Sequence, residues 1–113
     1  MPRKDLYDND CPLLYALNII GGKWRIPIIW YLQDGSLRYN QLKRKLNGIT
    51  NTMLTRTLQD LESHGLVKRI QYAEIPPHVE YLLTDHAKQL IPVIMTIQEW
   101  GEGQFALEHV QKA

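Results

Sequence analysis

A mainly α-helical domain carrying a small β-hairpin is the fold class predicted for these 113 residues. Apolar residues recur at helical spacing through most of the chain, as in Leu54, Leu58 and Leu61. Between Leu66 and Leu83 the period changes to a pattern rich in Val, Ile and Tyr on either side of Ile75-Pro76-Pro77. Two of the helical patterns are separated only by Asn47-Gly48-Ile49, room for a tight turn and nothing more.

Residues 1–11 carry alternating charges without periodicity and read as an N-terminal arm. The rest, 12–113, reads as one domain, large enough to bury a single core. Pro12 suits the first position of a helix reaching about Ile20, because its missing N–H has no intrahelical partner there anyway. Gly21-Gly22 breaks the chain. A second helix is expected over Lys23 to Gln33, with Trp24, Ile28, Ile29 and Leu32 inward and Pro27 near its first turn. After Asp34-Gly35, a third short helix runs from about Tyr39 to Leu46. The next spans Gly48 to Gly65, where Thr50 or Asn51 can cap the start and Gly65 can close the end in a left-handed conformation.

Leu66 to Glu74 and the segment bearing Val79, Tyr81 and Leu83 form the two expected strands, with the prolines at a projecting tip. Two helices joined by a glycine-bearing turn and followed by such a ribbon make a winged helix-turn-helix. Thr84 then caps a further helix, in which Leu90, Ile91, Val93, Ile94, Ile97 and Trp100 are apolar over more than one face. Pro92 is expected to kink or divide it near residue 91, and Gly101 and Gly103 to weaken it before a last amphipathic turn. This surplus of apolar surface points to a second copy of the chain. Segments 12–20 and 84–111 are therefore the expected dimerisation helices, with Leu90, Ile94, Ile97 and Trp100 as candidate contacts.

The helix after Gly48 carries a second stripe. Thr52, Thr55, Arg56 and Gln59 recur at i, i+3, i+4 and i+7, a row of donors and acceptors able to meet base edges in a DNA major groove. With Asn51 at the helix start they form the candidate base-reading set. A plain solvated face is the alternative for such a stripe, and its neighbours favour DNA. Residues 23 to 69 hold nine cationic groups against Asp34, Asp60 and Glu62, a balance of +6, although the whole chain is only +1. Arg38, Lys43, Arg44, Lys45, Lys68 and Arg69 are the candidate phosphate contacts. Lys23 and Arg25 can equally bind phosphate or hydrate, and Arg25 is not assigned. From Asp85 onward the balance is −2, which keeps the carboxyl end away from a polyanion.

Other chemistry has little foothold. His64, His78, His86 and His109 lie on four separate elements without zinc-site spacing, so no metal or other cofactor is expected. No nucleophile motif or phosphate-binding loop occurs, so no enzyme is expected. Trp24, Trp30 and Trp100 read as core aromatics. No residue marks a small-molecule effector. The single cysteine, Cys11, excludes an intrachain disulfide, and with no N-terminal apolar run the expected location is the cytoplasm, without a membrane span. A helix start lowers a thiol pKa whereas Asp8 and Asp10 oppose the shift, so the sequence leaves its reactivity open.

The chain resembles the HxlR-type transcriptional regulators, winged-helix proteins related to the MarR group. The resemblance spans Cys11 to Gly101 and rests on Cys11-Pro12, Ile20-Gly21-Gly22-Lys23-Trp24, Asp34-Gly35, Leu37-Arg38-Tyr39, Gly48-Ile49-Thr50, Met53-Leu54, Leu58 to Leu61 and Gly65-Leu66-Val67. Pro76-Pro77, Val79-Glu80-Tyr81, Leu83-Thr84 and Trp100-Gly101 continue it. It implies a homodimeric regulator of double-stranded DNA with an inverted-repeat operator. In such a protein the Thr50 to His64 helix reads the major groove, the wing touches the flanking backbone and terminal helices pair the subunits. Some members of the group sense oxidants or electrophiles through a cysteine at this position, which makes Cys11 a candidate sensor, with a plain packing role as the alternative. A winged helix used only for protein contact is the alternative function.

Overall fold

The computed structural model describes residues 11–110, so the expected arm lies outside the described residues except for Cys11. The element order is α1 (Pro12–Ile20), α2 (Arg25–Tyr31), β1 (Leu37–Arg38), α3 (Tyr39–Lys45), α4 (Asn51–Ser63), β2 (Val67–Tyr72), β3 (His78–Leu83), α5 (Asp85–Lys88) and α6 (Leu90–His109). This is the expected winged helix-turn-helix, with helices packed against a small antiparallel sheet.

The sheet has three strands rather than the expected two, in the order β1-β3-β2. Leu37 and Arg38 pair with Tyr81 and Glu80, while β2 and β3 pair along their length from Val67↔Leu83 to Tyr72↔His78. A strand of two residues has too few positions to display an alternation, so it was invisible as a pattern.

One core unites the elements. Ile28, Ile29 and Leu32 of the α2 region meet Leu42 and Leu46 at α3, Leu54, Leu58 and Leu61 of α4, and Leu66, Val67 and Leu83 at the base of the wing. Trp24 and Trp30 pack half-buried against this cluster, as expected, but Trp100 does not belong to it and is 70% exposed.

The last helical region divides at Gln89, earlier than expected. Pro92 explains the position. Its ring would clash with the carbonyl of residue i−4, and that residue is Lys88, the end of α5. Restarting at Leu90 puts Pro92 in a first turn, where its missing N–H costs nothing. Beyond that point α6 runs unbroken through Gly101 and Gly103 to His109, so the expected weakening does not interrupt it.

Candidate nucleic-acid interface

α4 is held at both ends by local chemistry. Thr50, not Asn51, is the cap, its hydroxyl accepting from the Met53 N–H at 3.1 Å. At the far end Gly65 has φ of 72°, and the N–H groups of Leu66 and Gly65 donate to the carbonyls of Leu61 and Glu62. That is a Schellman closure, and it seats Leu66 beside Leu61 in the core. Thr84 ties this end to the wing. Its hydroxyl donates to Gly65 O at 2.7 Å while accepting from Ala87 N–H to start α5. Before α4, Gly48 has φ of 89°, the left-handed turn that joins α3 to α4.

With Leu54, Thr57, Leu58 and Leu61 buried, the opposite face of α4 is turned to solvent. Asn51, Thr52, Thr55, Arg56 and Gln59 are all exposed and border one shallow hollow of about 440 Å³. The whole candidate base-reading set is thus brought together on one surface.

Tyr39 joins this set. From the first position of α3 its hydroxyl lies 3.1 Å from Asn51 O, 3.3 Å from Asn51 Oδ1 and 3.1 Å from Thr55 Oγ1. It thus orients two polar side chains of the stripe, and the sequence reading missed it. The available signal was a tyrosine, rather than a phenylalanine, at the start of the preceding helix.

The six candidate phosphate residues do not form one patch. Arg38 ends β1 and is exposed, and its backbone N–H donates to Gln41 Oε1 at 2.8 Å to start α3. Lys43, Arg44 and Lys45 occupy the last turn of α3, but Lys45 Nζ lies 5.5 Å from the Tyr31 ring centre and so leans toward α2. On β2, adjacent residues face opposite ways. Arg69 borders a hollow with Thr55, Gln59 and Tyr81, beside the reading stripe, whereas Lys68 is outside it. Across α4 from the wing, Lys23 Nζ lies 4.8 Å from the Trp24 ring centre. Arg25, left unassigned by sequence, is engaged with Asp60 and is not a free cation.

The wing has a polar cluster that reaches from mid-strand to the hairpin end of its strands. Glu80 accepts from Ser36 Oγ at 2.5 Å and lies 2.9 Å from His78 Nε2, while Tyr72 stacks on His78 with ring centres 4.7 Å apart. The Ser36 hydrogen bond, then that of His78, holds the Glu80 carboxyl below its ordinary value of 4.5. The strand ends are thereby pinned beside Arg38, the residue paired with Glu80 in the sheet.

The candidate dimer residues divide. Ile94 is buried in the protomer's own core and Leu90 is packed against it, whereas Ile97 and Trp100 are exposed. Cys11, the N-cap residue of α1, is 3% exposed. Among the described residues no group of acidic, histidine and cysteine side chains could hold a metal, and no helix is long and apolar enough to cross a membrane.

The model of the HxlR-like helix-turn-helix family matches residues 19–109. The chain belongs to that family. A helix-turn-helix transcriptional regulator of Methanothermobacter thermautotrophicus is 45% identical over 100 residues, covering 87% of this chain and 76% of that one. Among solved structures, the redox regulator HypR in its oxidised form superposes with a TM-score of 0.77 at 41% identity, covering 82% of this chain and 96% of the other. A MarR-family transcriptional regulator from Porphyromonas gingivalis gives a TM-score of 0.81 at 37% identity, covering 88% and 97%. The chain is accordingly a transcriptional regulator of the helix-turn-helix type and not an enzyme.

Proposed function

We propose that this regulator acts as a homodimer that reads an inverted-repeat operator in double-stranded DNA through α4. The convergence of Asn51, Thr52, Thr55, Arg56 and Gln59 on one exposed, polar face carries the reading. Arg38, Lys43, Arg44 and Arg69 supply phosphate contacts around it, with Lys68 on the outer face of the wing and Lys45 the least favourably placed.

Dimerisation is supported by α6. After Ile94 every residue of this helix except Gln104 is exposed, yet Ile97, Trp100 and Leu107 continue from Val93 at steps of four, three and seven, with Gln104 at the intervening seam position. Such spacing makes a seam for another helix. At 1.5 Å per residue, the part beyond Ile94 projects by about 20 Å, and it adds its surface to Leu13, Tyr15 and Leu17 on α1. A two-fold pairing would set the two α4 helices about 34 Å apart, one turn of duplex.

The test is a salt titration against duplexes selected from a random pool. Phosphate contacts make affinity fall linearly on a logarithmic salt scale, and Lys43→Ala or Arg44→Ala flattens that slope while weakening all sequences alike. A flat titration sinks the reading in favour of a protein-contact module.

A second reading, oxidant sensing through Cys11, is favoured by the likeness to a redox regulator and by the place of Cys11 at the start of α1. Peroxide would oxidise the thiol to a sulfenic acid, and condensation with a thiol of the partner subunit or of a small molecule would release water. The product strains the packing of α1. Cys11→Ser is expected to bind DNA normally and ignore peroxide, whereas wild-type binding unmoved by peroxide eliminates this reading.

A further inference from the structure

Leu13, Tyr15 and Leu17 of α1 are exposed, and no residue of this helix is fully buried. Ile19 and Ile20 at its carboxyl end pack half-buried against the core, Leu14 is half-buried and Cys11 is buried at its amino end, and one side chain of α2 binds its last turn. Arg25 Nη1 donates to the carbonyls of Asn18 and Ile19, both at 2.7 Å. These belong to the last turn, whose carbonyls an α-helix leaves without internal partners. Nη2 of the same guanidinium lies 2.5 Å from Asp60 Oδ2 on α4. That oxygen is shielded from solvent and has no hydrogen-bond partner, so the ion pair alone compensates it. The other carboxylate oxygen has His64 Nε2 at 3.9 Å. Asp60 follows Gln59 and lies one turn beyond Arg56, and these residues border a cleft of about 900 Å³ together with Asn18 and Arg25.

We propose that Arg25 and Asp60 form a positioning link that fixes α4 relative to α1 and thereby sets the half-site spacing the dimer accepts. The inference rests on α4 as the DNA-reading helix and α1 as part of the dimer interface. A partly exposed ion pair adds little to stability. What a rigid planar fork adds is direction, because one guanidinium engages two carbonyls and a carboxylate at fixed angles, which an ammonium cannot do. α4 is seated by its buried leucines, whereas no residue within α1 is fully buried, so this side chain contributes to the angle between them. In a two-fold dimer any change in that angle is applied twice.

The test uses an operator selected by the wild-type chain, with one and two base pairs added or removed between its half-sites. Asp60→Asn and Arg25→Lys are expected to bind an isolated half-site as the wild type does, yet to lose discrimination between spacings by about five- to tenfold. A second readout needs no DNA. Spin labels at Glu62→Cys in a Cys11→Ser background report the distance between the two α4 helices, and Asp60→Asn is expected to broaden that distribution. Unchanged spacing discrimination with an unchanged distribution overturns the link, even where the variants lose thermal stability. Equal losses on half-sites and full operators also overturn it, by making these residues direct contacts. If the wild type selects no duplex, the DNA reading fails and the distance distributions decide the link. Absence of any intermolecular signal removes the dimer, and the proposal with it.

Discussion

α4 and α6 are the two long helices of the protomer, and they solve the problem of a solvent-facing side differently. The 13-residue α4 buries four residues and turns a row of threonines, an asparagine, an arginine and a glutamine outward. The 20-residue α6 buries only Ile94 and turns Trp100, Phe105 and Leu107 outward, at 70%, 64% and 71% exposure. Water satisfies the first face as it stands. The second leaves a contiguous apolar surface hydrated, which a stable monomer seldom does. In the proposed function the polar face meets a polyanion as it stands, and the apolar face is half of an interface.

The largest effect expected from breaking this contrast lies on α6. Replacing both Ile97 and Trp100 by Glu should cost the dimer at least about 3 kcal/mol, since exposed anchors of this size dominate interfaces. Sedimentation at micromolar concentration should then find a folded monomer. A variant that remains dimeric would move the interface elsewhere.

On α4, Arg56→Ala should weaken binding to a selected operator by about 1–3 kcal/mol, because arginine is the best guanine reader in the stripe. Random duplex should be affected much less. Equal losses on both would reduce Arg56 to a phosphate contact.

Tyr39→Phe sharpens the comparison further, since it removes only the hydroxyl that orients Asn51 and Thr55. A loss of about 0.5–1.5 kcal/mol in operator affinity is expected, with the melting temperature nearly unchanged. Operator affinity identical to wild type would show that the stripe needs no such support.

The smallest effect concerns the polar cluster around Glu80 in the wing. Because the folded Glu80 carboxyl titrates below 4.5, held there first by Ser36 and then by His78, its contribution to stability is present above that value. It is lost as pH falls through the lower folded value. Glu80→Gln should flatten the acid limb of the stability curve, and an unaltered limb would dismiss the cluster as a pH-dependent support.

Much of α4 was legible because its determinants are contiguous. A capping hydroxyl, a leucine repeat, a polar stripe and a terminal glycine all lie within Thr50 to Gly65. α6 was legible only as surplus apolarity. Val93, Ile94 and Ile97 are alike in hydropathy, and which of them faces inward depends on how α5 and α6 meet the core. The restart at Leu90, set by the clash of Pro92 with the Lys88 carbonyl, fixes that rotation.

Spacing along the chain was enough to establish a winged helix-turn-helix and to place five polar residues on one face of α4, because helical periodicity and end-capping act between residues a few positions apart. Tertiary packing alone decided the placement of Tyr39 against residues 12 and 16 positions away and the Ser36 contact to Glu80 across 44 positions. It also decided the pairing of Leu37-Arg38 with β3 and the fork of Arg25 between α1 and α4. No local period encodes these contacts, since each depends on where the shared hydrophobic core brings two distant segments to rest.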